Sequence, residues 1–260
     1  MSLGPLDHDR GLLLGDGLFE TVLAERGRLV LFEAHADRLA RGCALLGLPA
    51  PEPDALSAAA LATLADAGLT GERAAVRLTW TCGDGGRGLD RPDHPKPRLL
   101  AAAALAPKPE GAASLSLAAV RRHATSPVGR VKSLSYLDNV LARREARACG
   151  ADEALMLNTR DELACAAAAN LFWLKDGALF TPALDCGVLD GIIRGEVLGR
   201  AAALGVACQE VHAPLDALND AEAVFLTNSL IGVRPVRGLD GRAFETNALV
   251  DQLAALVAAL

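Results

Sequence analysis

Residues 131–143 read Val-Lys-Ser-Leu-Ser-Tyr-Leu-Asp-Asn-Val-Leu-Ala-Arg and place a single lysine, Lys132, in an apolar-flanked turn just before a strong helical pattern. A lysine held in such a place is poorly solvated as a cation and well suited to form a Schiff base with a carbonyl group. Taken alone, the stretch is better explained as a surface lysine at a helix start. Other segments of the chain decide between these two interpretations.

Composition and charge argue against some classes of protein. The chain has 260 residues, of which 51% are hydrophobic and 3% aromatic, and its net charge is −6. That length can bury a sizeable core. The acidic balance argues against a nucleic-acid binder, which normally carries a basic face. Because the sequence has neither a signal-peptide pattern nor a long uncharged run, we expect a cytoplasmic protein without a membrane partner.

The cysteines and histidines do not predict a metal site. The six cysteines are Cys43, Cys82, Cys149, Cys165, Cys186 and Cys208. None forms a C-x-x-C pair, and the five histidines form no H-E-x-x-H pattern. We therefore expect reduced, mostly buried thiols and no metal.

Hydrophobic periodicity predicts two α/β units with mixed sheets. The first unit is predicted to contain helices 33–46 and 53–67 and strands 12–14, 18–24, 29–32, 74–81 and 98–105. The second is predicted to contain helices 136–148, 192–204 and 248–260 and strands 114–120, 153–157, 170–174, 178–180, 206–211, 223–227 and 233–237. Two prolines and a glycine in 107–111 favour a linker, so we predict a small N-terminal domain, 1–106, and a larger cofactor-binding domain, 112–260.

Six segments in collinear order resemble the class IV aminotransferase superfamily, the fold-type IV enzymes that use pyridoxal 5'-phosphate. They are 15–21 (GDGLFET), 35–39 (HADRL), the Lys132 segment, 169–173 (ANLFW), 191–195 (GIIRG) and 227–236 (TNSLIGVRPV). The resemblance implies a two-domain fold like that of D-amino acid aminotransferase. It also implies a homodimer, with the active site between the domains and near the dimer interface.

Within that family, Lys132 matches the Schiff-base lysine, which also serves as general base and acid. Arg38 matches the arginine that binds the cofactor phosphate, although by itself it could be a solvated helix residue. Free backbone N–H groups of Ile192 and Ile193 at a helix start would cradle the phosphate, and the Ser229 hydroxyl could add a contact. Leu189 falls where the family packs an aliphatic side chain on the pyridine ring.

Three residues are candidates for binding substrate. Arg87 lies in a glycine-rich loop and by resemblance would bind a substrate carboxylate, but a flexible, exposed arginine is an equally good interpretation. Phe19 falls at an active-site wall position. Asn228 either faces the substrate or caps its own loop.

One position departs from the family pattern. Counting back five residues from Asn170, to where the family has the glutamate that pairs with the protonated pyridine nitrogen, gives Cys165. Glu162 is the nearest acid, and shifting a strand by three residues would place it on the opposite face. A neutral thiol would support the cationic ring poorly. We expect this to impair reversible amino transfer more than an elimination in which an aromatic ring forms.

Residues 85–88 (GGRG) and 228–232 (NSLIG) look most like 4-amino-4-deoxychorismate lyases. The expected activity is therefore a lyase reaction that gives 4-aminobenzoate and pyruvate for folate synthesis. Alternatives are an aminotransferase for D- or branched-chain amino acids and a degenerate homologue without turnover. Only residues 1–8 precede the Asp9-Arg10-Gly11 turn, which leaves the small domain's first strand in doubt.

Overall fold

A computed structural model describes residues 6–260 and divides into two compact units. The first unit runs to Pro107 and also contains Val131–Ser135, and the second comprises Lys108–Arg130 and Tyr136–Leu260. The chain thus passes from one unit to the other at the predicted linker. The expected range 112–260, however, includes five residues that belong to the first unit. Residues 1–5, which bear on the doubtful first strand, lie outside the described residues.

The first unit is a four-stranded antiparallel sheet, in the order β2-β1-β3-β4, with helices packed on it. Its elements are α1 (Arg10–Leu14), β1 (Gly17–Glu25), β2 (Arg28–Leu29), α2 (Phe32–Leu46), α3 (Pro53–Asp66), β3 (Arg73–Thr81) and β4 (Arg98–Leu105). Leu18, Val22 and Ala24 alternate along β1 and join one apolar core with α2 and α3. Glu20 lies on this same helix-facing side of the strand.

The strand predicted at 12–14 is wrong, because these leucines form the helix α1. The Asp9 side chain accepts hydrogen bonds from the backbone N–H groups of Gly11 and Leu12, and Gly15 ends the helix in a left-handed conformation with φ of 68°. An N-cap and a C-terminal glycine therefore outweigh the β interpretation of a short leucine run. The strand predicted at 29–32 is also shorter, because Phe32 already begins α2.

The second unit has a nine-stranded sheet, whose main path is β10-β9-β8-β11-β12-β5-β6-β7. Its strands are β5 (Ala113–Leu117), β6 (Glu153–Leu157), β7 (Leu163–Ala166), β8 (Asn170–Lys175), β9 (Ala178–Pro182), β10 (Cys208–Val211), β11 (Ala223–Asn228), β12 (Gly232–Leu239) and β13 (Arg242–Ala243). Its helices are α4 (Leu137–Ala148), α5 (Ile192–Ala203) and α6 (Ala248–Ala258). Since β7 also pairs with β8, six strands close into a ring around an apolar core.

The segment that contains Lys132 pairs with the open edge of β1. The strand β2 pairs only with Ala24 and Glu25, at the far end of β1. The edge at Gly17–Phe19 is occupied instead by residues 132–134 through a short antiparallel bridge between Leu18 and Ser133. Unpaired strand edges readily accept such additions. Within residues 6–260, no helix combines the length and apolar character needed to cross a membrane.

Candidate active site

Lys132 is fixed through its own backbone. Its carbonyl accepts a hydrogen bond from the Phe19 N–H (2.8 Å), and the Leu134 N–H donates to the Gly17 carbonyl (3.0 Å). Gly17 allows this close approach, because a Cβ there would lie 2.5 Å from the Trp80 carbonyl oxygen and 2.9 Å from a methyl carbon of Leu134. The contacts hold the lysine backbone against β1, although 113 residues separate Lys132 from Phe19 along the chain.

The Lys132 amine lies in a poorly solvated place. Its Nζ is 4.3 Å from the centroid of the Phe19 ring, and the Arg77 guanidinium lies 3.7 Å from the same centroid. Desolvation, opposed by Glu20 and assisted by Arg38 and Arg77, lowers the pKa of Lys132 to about 8. A substantial fraction of neutral, nucleophilic amine is therefore present near neutral pH.

A buried ion cluster lies beside this lysine. Arg38 donates from Nε to Glu20 Oε1 (2.8 Å) and from Nη2 to Oε2 (2.6 Å), and His35 Nδ1 lies 2.7 Å from Oε2. Burial alone would raise the pKa of Glu20, but hydrogen bonds from Arg38 and His35 outweigh it and bring the pKa to about 2. Desolvation lowers the pKa of His35. Sequence reasoning missed Glu20, although an acid in an otherwise apolar strand was a usable signal.

In the second unit, α5 begins with a first turn that contains Ile192 and Ile193. Gly191 is its N-cap residue, and no side chain of the described residues caps this turn. Asn170 donates from Nδ2 to the Leu189 carbonyl (2.9 Å), and a Cβ on Gly191 would lie 2.0 Å from Asn170 Oδ1. The position therefore requires glycine. Leu189 and Ile192 are half-buried and Ile193 is buried.

The neighbouring strand β11 adds further polar groups. Thr227, which sequence reasoning did not single out, is fully buried and its Oγ1 has no hydrogen-bond partner among the described residues. The side chain of Asn228 is already hydrogen-bonded within the second unit. Its Oδ1 accepts from the N–H groups of Leu230 and Ile231 in its own loop, and its Nδ2 donates to the Ala168 carbonyl. The capping alternative left open by the sequence thus describes this side chain. Ser229 is half-buried.

Cys165 lies on β7 directly opposite Asn170 of β8. It is buried, and desolvation raises the pKa of its thiol, although Arg122 opposes the shift. The side chain is therefore a neutral thiol at physiological pH. Glu162 is held elsewhere, with its carboxylate bound to Asn158 (2.7 Å) and Arg160 (2.9 Å).

The glycine-rich loop is organised by Arg10. This buried side chain donates to the carbonyl groups of four loop residues, Gly85, Gly88, Leu89 and Asp90. Arg87 is exposed, and its backbone exchanges hydrogen bonds with Asp90. The loop backbone is therefore fixed, and the exposed side chain of Arg87 extends from this fixed backbone.

The model of the family described as amino-transferase class IV matches residues 17–239. The chain belongs to this family. A class IV relative, the aminodeoxychorismate lyase of Vibrio harveyi, is 30% identical over 237 residues, covering 89% of this chain and 86% of the relative. The branched-chain-amino-acid aminotransferase of Pseudomonas aeruginosa is 31% identical over 244 residues, covering 88% and 77%.

A solved class IV structure gives the same match in three dimensions. The crystal structure of the 4-amino-4-deoxychorismate lyase from Pseudomonas aeruginosa superposes with a TM-score of 0.90 at 32% identity, covering 98% of this chain and 95% of that one. Proteins named as lyases and as aminotransferases are thus similarly related to this class IV chain. The fold and family predicted from the sequence are confirmed.

Proposed function

We propose that this protein is a pyridoxal-phosphate-dependent 4-amino-4-deoxychorismate lyase that releases 4-aminobenzoate and pyruvate. The observation that carries the proposal is the half-buried Lys132, whose pKa is lowered to about 8 beside the Phe19 ring. Two lyases among the reported relatives support this choice of reaction. Cys165 favours elimination over amino transfer because it supplies no carboxylate to the ring nitrogen.

Each unit carries donors that suit the cofactor. Lys132 offers an amine for its aldehyde, and the uncapped N–H groups of Ile192 and Ile193 suit a phosphate dianion. Two residues before Ser229, the buried Thr227 hydroxyl has no hydrogen-bond partner among the described residues and can donate a hydrogen bond. We assign Arg38 and Ser229 to the phosphate, Leu189 to the ring face and Cys165 to the ring nitrogen. When bound, pyridoxal phosphate supplies a conjugated ring that accepts electron density from the substrate carbon bearing the amine.

The chain's own residues then move protons and orient the substrate. The neutral Lys132 amine removes the proton from the amine-bearing ring carbon of the substrate. The bond to the enolpyruvyl oxygen breaks, the departing enol takes up a proton to become pyruvate, and the remaining ring becomes aromatic. Phe19 forms a wall beside the amine, and Arg87 binds a substrate carboxylate from the loop that Arg10 fixes. We assign Asn228 a supporting role, in shaping the loop before Ser229.

Amino transfer on D- or branched-chain amino acids is the second candidate, favoured by the 31% identity to an aminotransferase. A homologue without turnover is the third. We propose that the protein acts in the cytoplasm as a homodimer, for which light scattering should give twice the 26.9 kDa chain mass.

The deciding experiment combines a visible spectrum of the purified protein with pyruvate release from 4-amino-4-deoxychorismate. We expect a cofactor absorbance band and pyruvate formation, and the loss of both in Lys132→Ala. A band with amino transfer to 2-oxo acids but no pyruvate would replace the lyase by the aminotransferase. A protein with neither would have no class IV activity.

A further inference from the structure

A second cluster of reactive side chains lies in the second unit, and its Cys186 packs in the same buried cluster as Cys165. It brings together Glu162, just before β7, Cys186, in the turn after β9, and His212, just after β10. Cys186 is 24 residues from Glu162 and 26 from His212, so sequence spacing gave no sign of the cluster. All three side chains belong to types that bind transition metals.

The distances between the donor atoms match a tetrahedral site. Cys186 Sγ lies 3.5 Å from His212 Nδ1 and 3.7 Å from Glu162 Oε2, and His212 Nδ1 lies 3.2 Å from Glu162 Oε1. Ordinary zinc bond lengths at tetrahedral angles place sulfur and nitrogen roughly 3.5 Å apart, nitrogen and oxygen roughly 3.3 Å, and sulfur and oxygen roughly 3.5 Å. The sulfur–nitrogen distance therefore already matches a zinc tetrahedron, and the Glu162 carboxylate, with one oxygen near the sulfur and the other near the nitrogen, lies at the third corner.

A neighbouring carboxylate orients the histidine for this role. Asp185 Oδ1 lies 2.9 Å from His212 Nε2, on the opposite side of the ring from the cluster. A proton on Nε2 shared with Asp185 leaves the lone pair of Nδ1 directed at Cys186 and Glu162. This carboxylate–histidine arrangement commonly accompanies zinc ligands and fixes the ring tautomer. Asn158 Nδ2 likewise positions Glu162 by donating to Oε2 (2.7 Å).

Charge and access also suit a divalent cation. A thiolate, a carboxylate and a neutral imidazole together balance a charge of +2. A bound cation would replace the proton of the Cys186 thiol. Cys186 is fully buried, but the side chains of His212 and Glu162 are 43% and 21% exposed and give access from solvent.

Arg160 opposes a cation. Its Nη2 lies 2.8 Å from Glu162 Oε2 and 3.4 Å from His212 Nδ1. The Arg160 side chain is 39% exposed, so it can turn into solvent when a metal enters. It therefore competes with metal for Glu162 and lowers the affinity without removing the site.

We propose that Glu162, Cys186 and His212 form a site for a zinc-like divalent cation, with Sγ of Cys186, Nδ1 of His212 and one Glu162 carboxylate oxygen as protein ligands. A water molecule completes the tetrahedron. The bound ion would tie together three segments, including the turn that leads to Leu189 and Gly191.

The test is a zinc titration of the full-length, chelator-treated protein in competition with a chromophoric chelator. We expect one equivalent to bind, at least 100-fold weaker binding in Cys186→Ser and in His212→Gln, and unchanged binding in Cys149→Ser, whose cysteine is exposed. Asp185→Asn should weaken binding by about tenfold, as loss of an orienting carboxylate typically does. Arg160→Ala should strengthen it.

Cobalt gives a direct readout that does not depend on a variant's folding. Added to the unaltered protein, Co²⁺ should produce a thiolate-to-metal charge-transfer band that zinc abolishes. Absence of that band, or zinc binding equally tight in Cys186→Ser, would overturn the proposal. Pyridoxal-phosphate absorbance, recorded in parallel, keeps this result separate from the lyase assignment.

Discussion

Lys132 shows how one residue acquires its reactivity from its neighbours. Its amine would have an ordinary pKa of 10.5 in water, and desolvation with two nearby arginines brings it to about 8. At pH 7 this shift raises the neutral fraction by roughly 300-fold. The sequence predicted the lysine's role through resemblance, but the magnitude of the shift depends on Phe19, Glu20 and Arg77, which come from distant parts of the chain.

Cofactor loading should therefore follow the titration of Lys132. On adding pyridoxal phosphate to cofactor-free protein, we expect the rate of absorbance change to rise with pH through a midpoint near 8, because only the deprotonated amine attacks. Arg77→Gln should raise the midpoint, since Arg77 lowers the lysine pKa. Arg73→Gln, on the same strand, serves as the matched control and should leave it unchanged. A midpoint near 10.5 in the unaltered protein would contradict the assignment.

The thiol at Cys165 should set the balance between elimination and amino transfer. We predict that Cys165→Glu increases amino transfer to 2-oxo acids without reducing pyruvate release, because a carboxylate there favours the protonated ring. Arg122, whose charge acts on this position, would help to accommodate the new carboxylate. Both products should be measured on one preparation of each protein. A fall in pyruvate release would show that the thiol assists elimination.

At the scale of elements, the edge of β1 determines whether the lysine reaches its place. Gly17 is the point of contact, since a side chain there would collide with Trp80 and Leu134. This pairing joins residues more than a hundred positions apart, so local patterns could not predict it. Local patterns did predict most helices, including α2, α3 and α5, because periodicity and end signals agree there. They failed at α1, where a short leucine run has no decisive period.

Gly17→Ala should displace the lysine segment. We expect a loss of about 1–3 kcal/mol of stability, as for other overpacked positions, together with impaired cofactor loading. Urea unfolding and visible absorbance measure the two effects. Gly71→Ala is the matched control, because a Cβ there meets nothing within 4 Å. Normal loading in Gly17→Ala would show that the bridge does not position Lys132.

At the scale of the whole molecule, the buried cluster of Glu20, Arg38 and His35 links stability to pH. The folded-state pKa of Glu20, about 2, is below its ordinary 4.5, so its contribution is fully present above pH 4.5 and is lost as the pH falls towards 2. That contribution amounts to about 3 kcal/mol. His35, whose pKa is also lowered, acts in the same direction below its ordinary value of 6.5.

Acid should therefore unfold the protein through this cluster. We predict that urea midpoints fall steeply between pH 4.5 and pH 3 in the unaltered protein. Glu20→Gln should be less stable at pH 6, by about 3–5 kcal/mol, and should show a smaller fall. Glu25→Gln, at a half-exposed position of the same strand, should behave like the unaltered protein. Equal pH slopes in all three proteins would exclude Glu20 as the acid-sensitive group.

The family was predictable from sequence because its motifs are contiguous, and the proposed catalytic residues lie in the same motifs. Contacts that depend on tertiary structure were not predictable. The Glu20–Arg38 pair joins a strand to a helix, Arg10 fixes a loop 75 residues away, and the Glu162–Cys186–His212 cluster draws on three turns. No spacing rule connects such residues, since only the packed chain brings them together.

The five residues Val131–Ser135 also constrain how this protein can be inherited. They belong to the first unit, but Arg130 before them and Tyr136 after them belong to the second. A genetic crossover at Pro107 would therefore replace the residues before it but keep the original lysine segment. The new β1 edge would then face a lysine segment from the other parent. Recombination between relatives would preserve function only when β1 and the lysine segment derive from the same parent, so the two should be inherited as a pair.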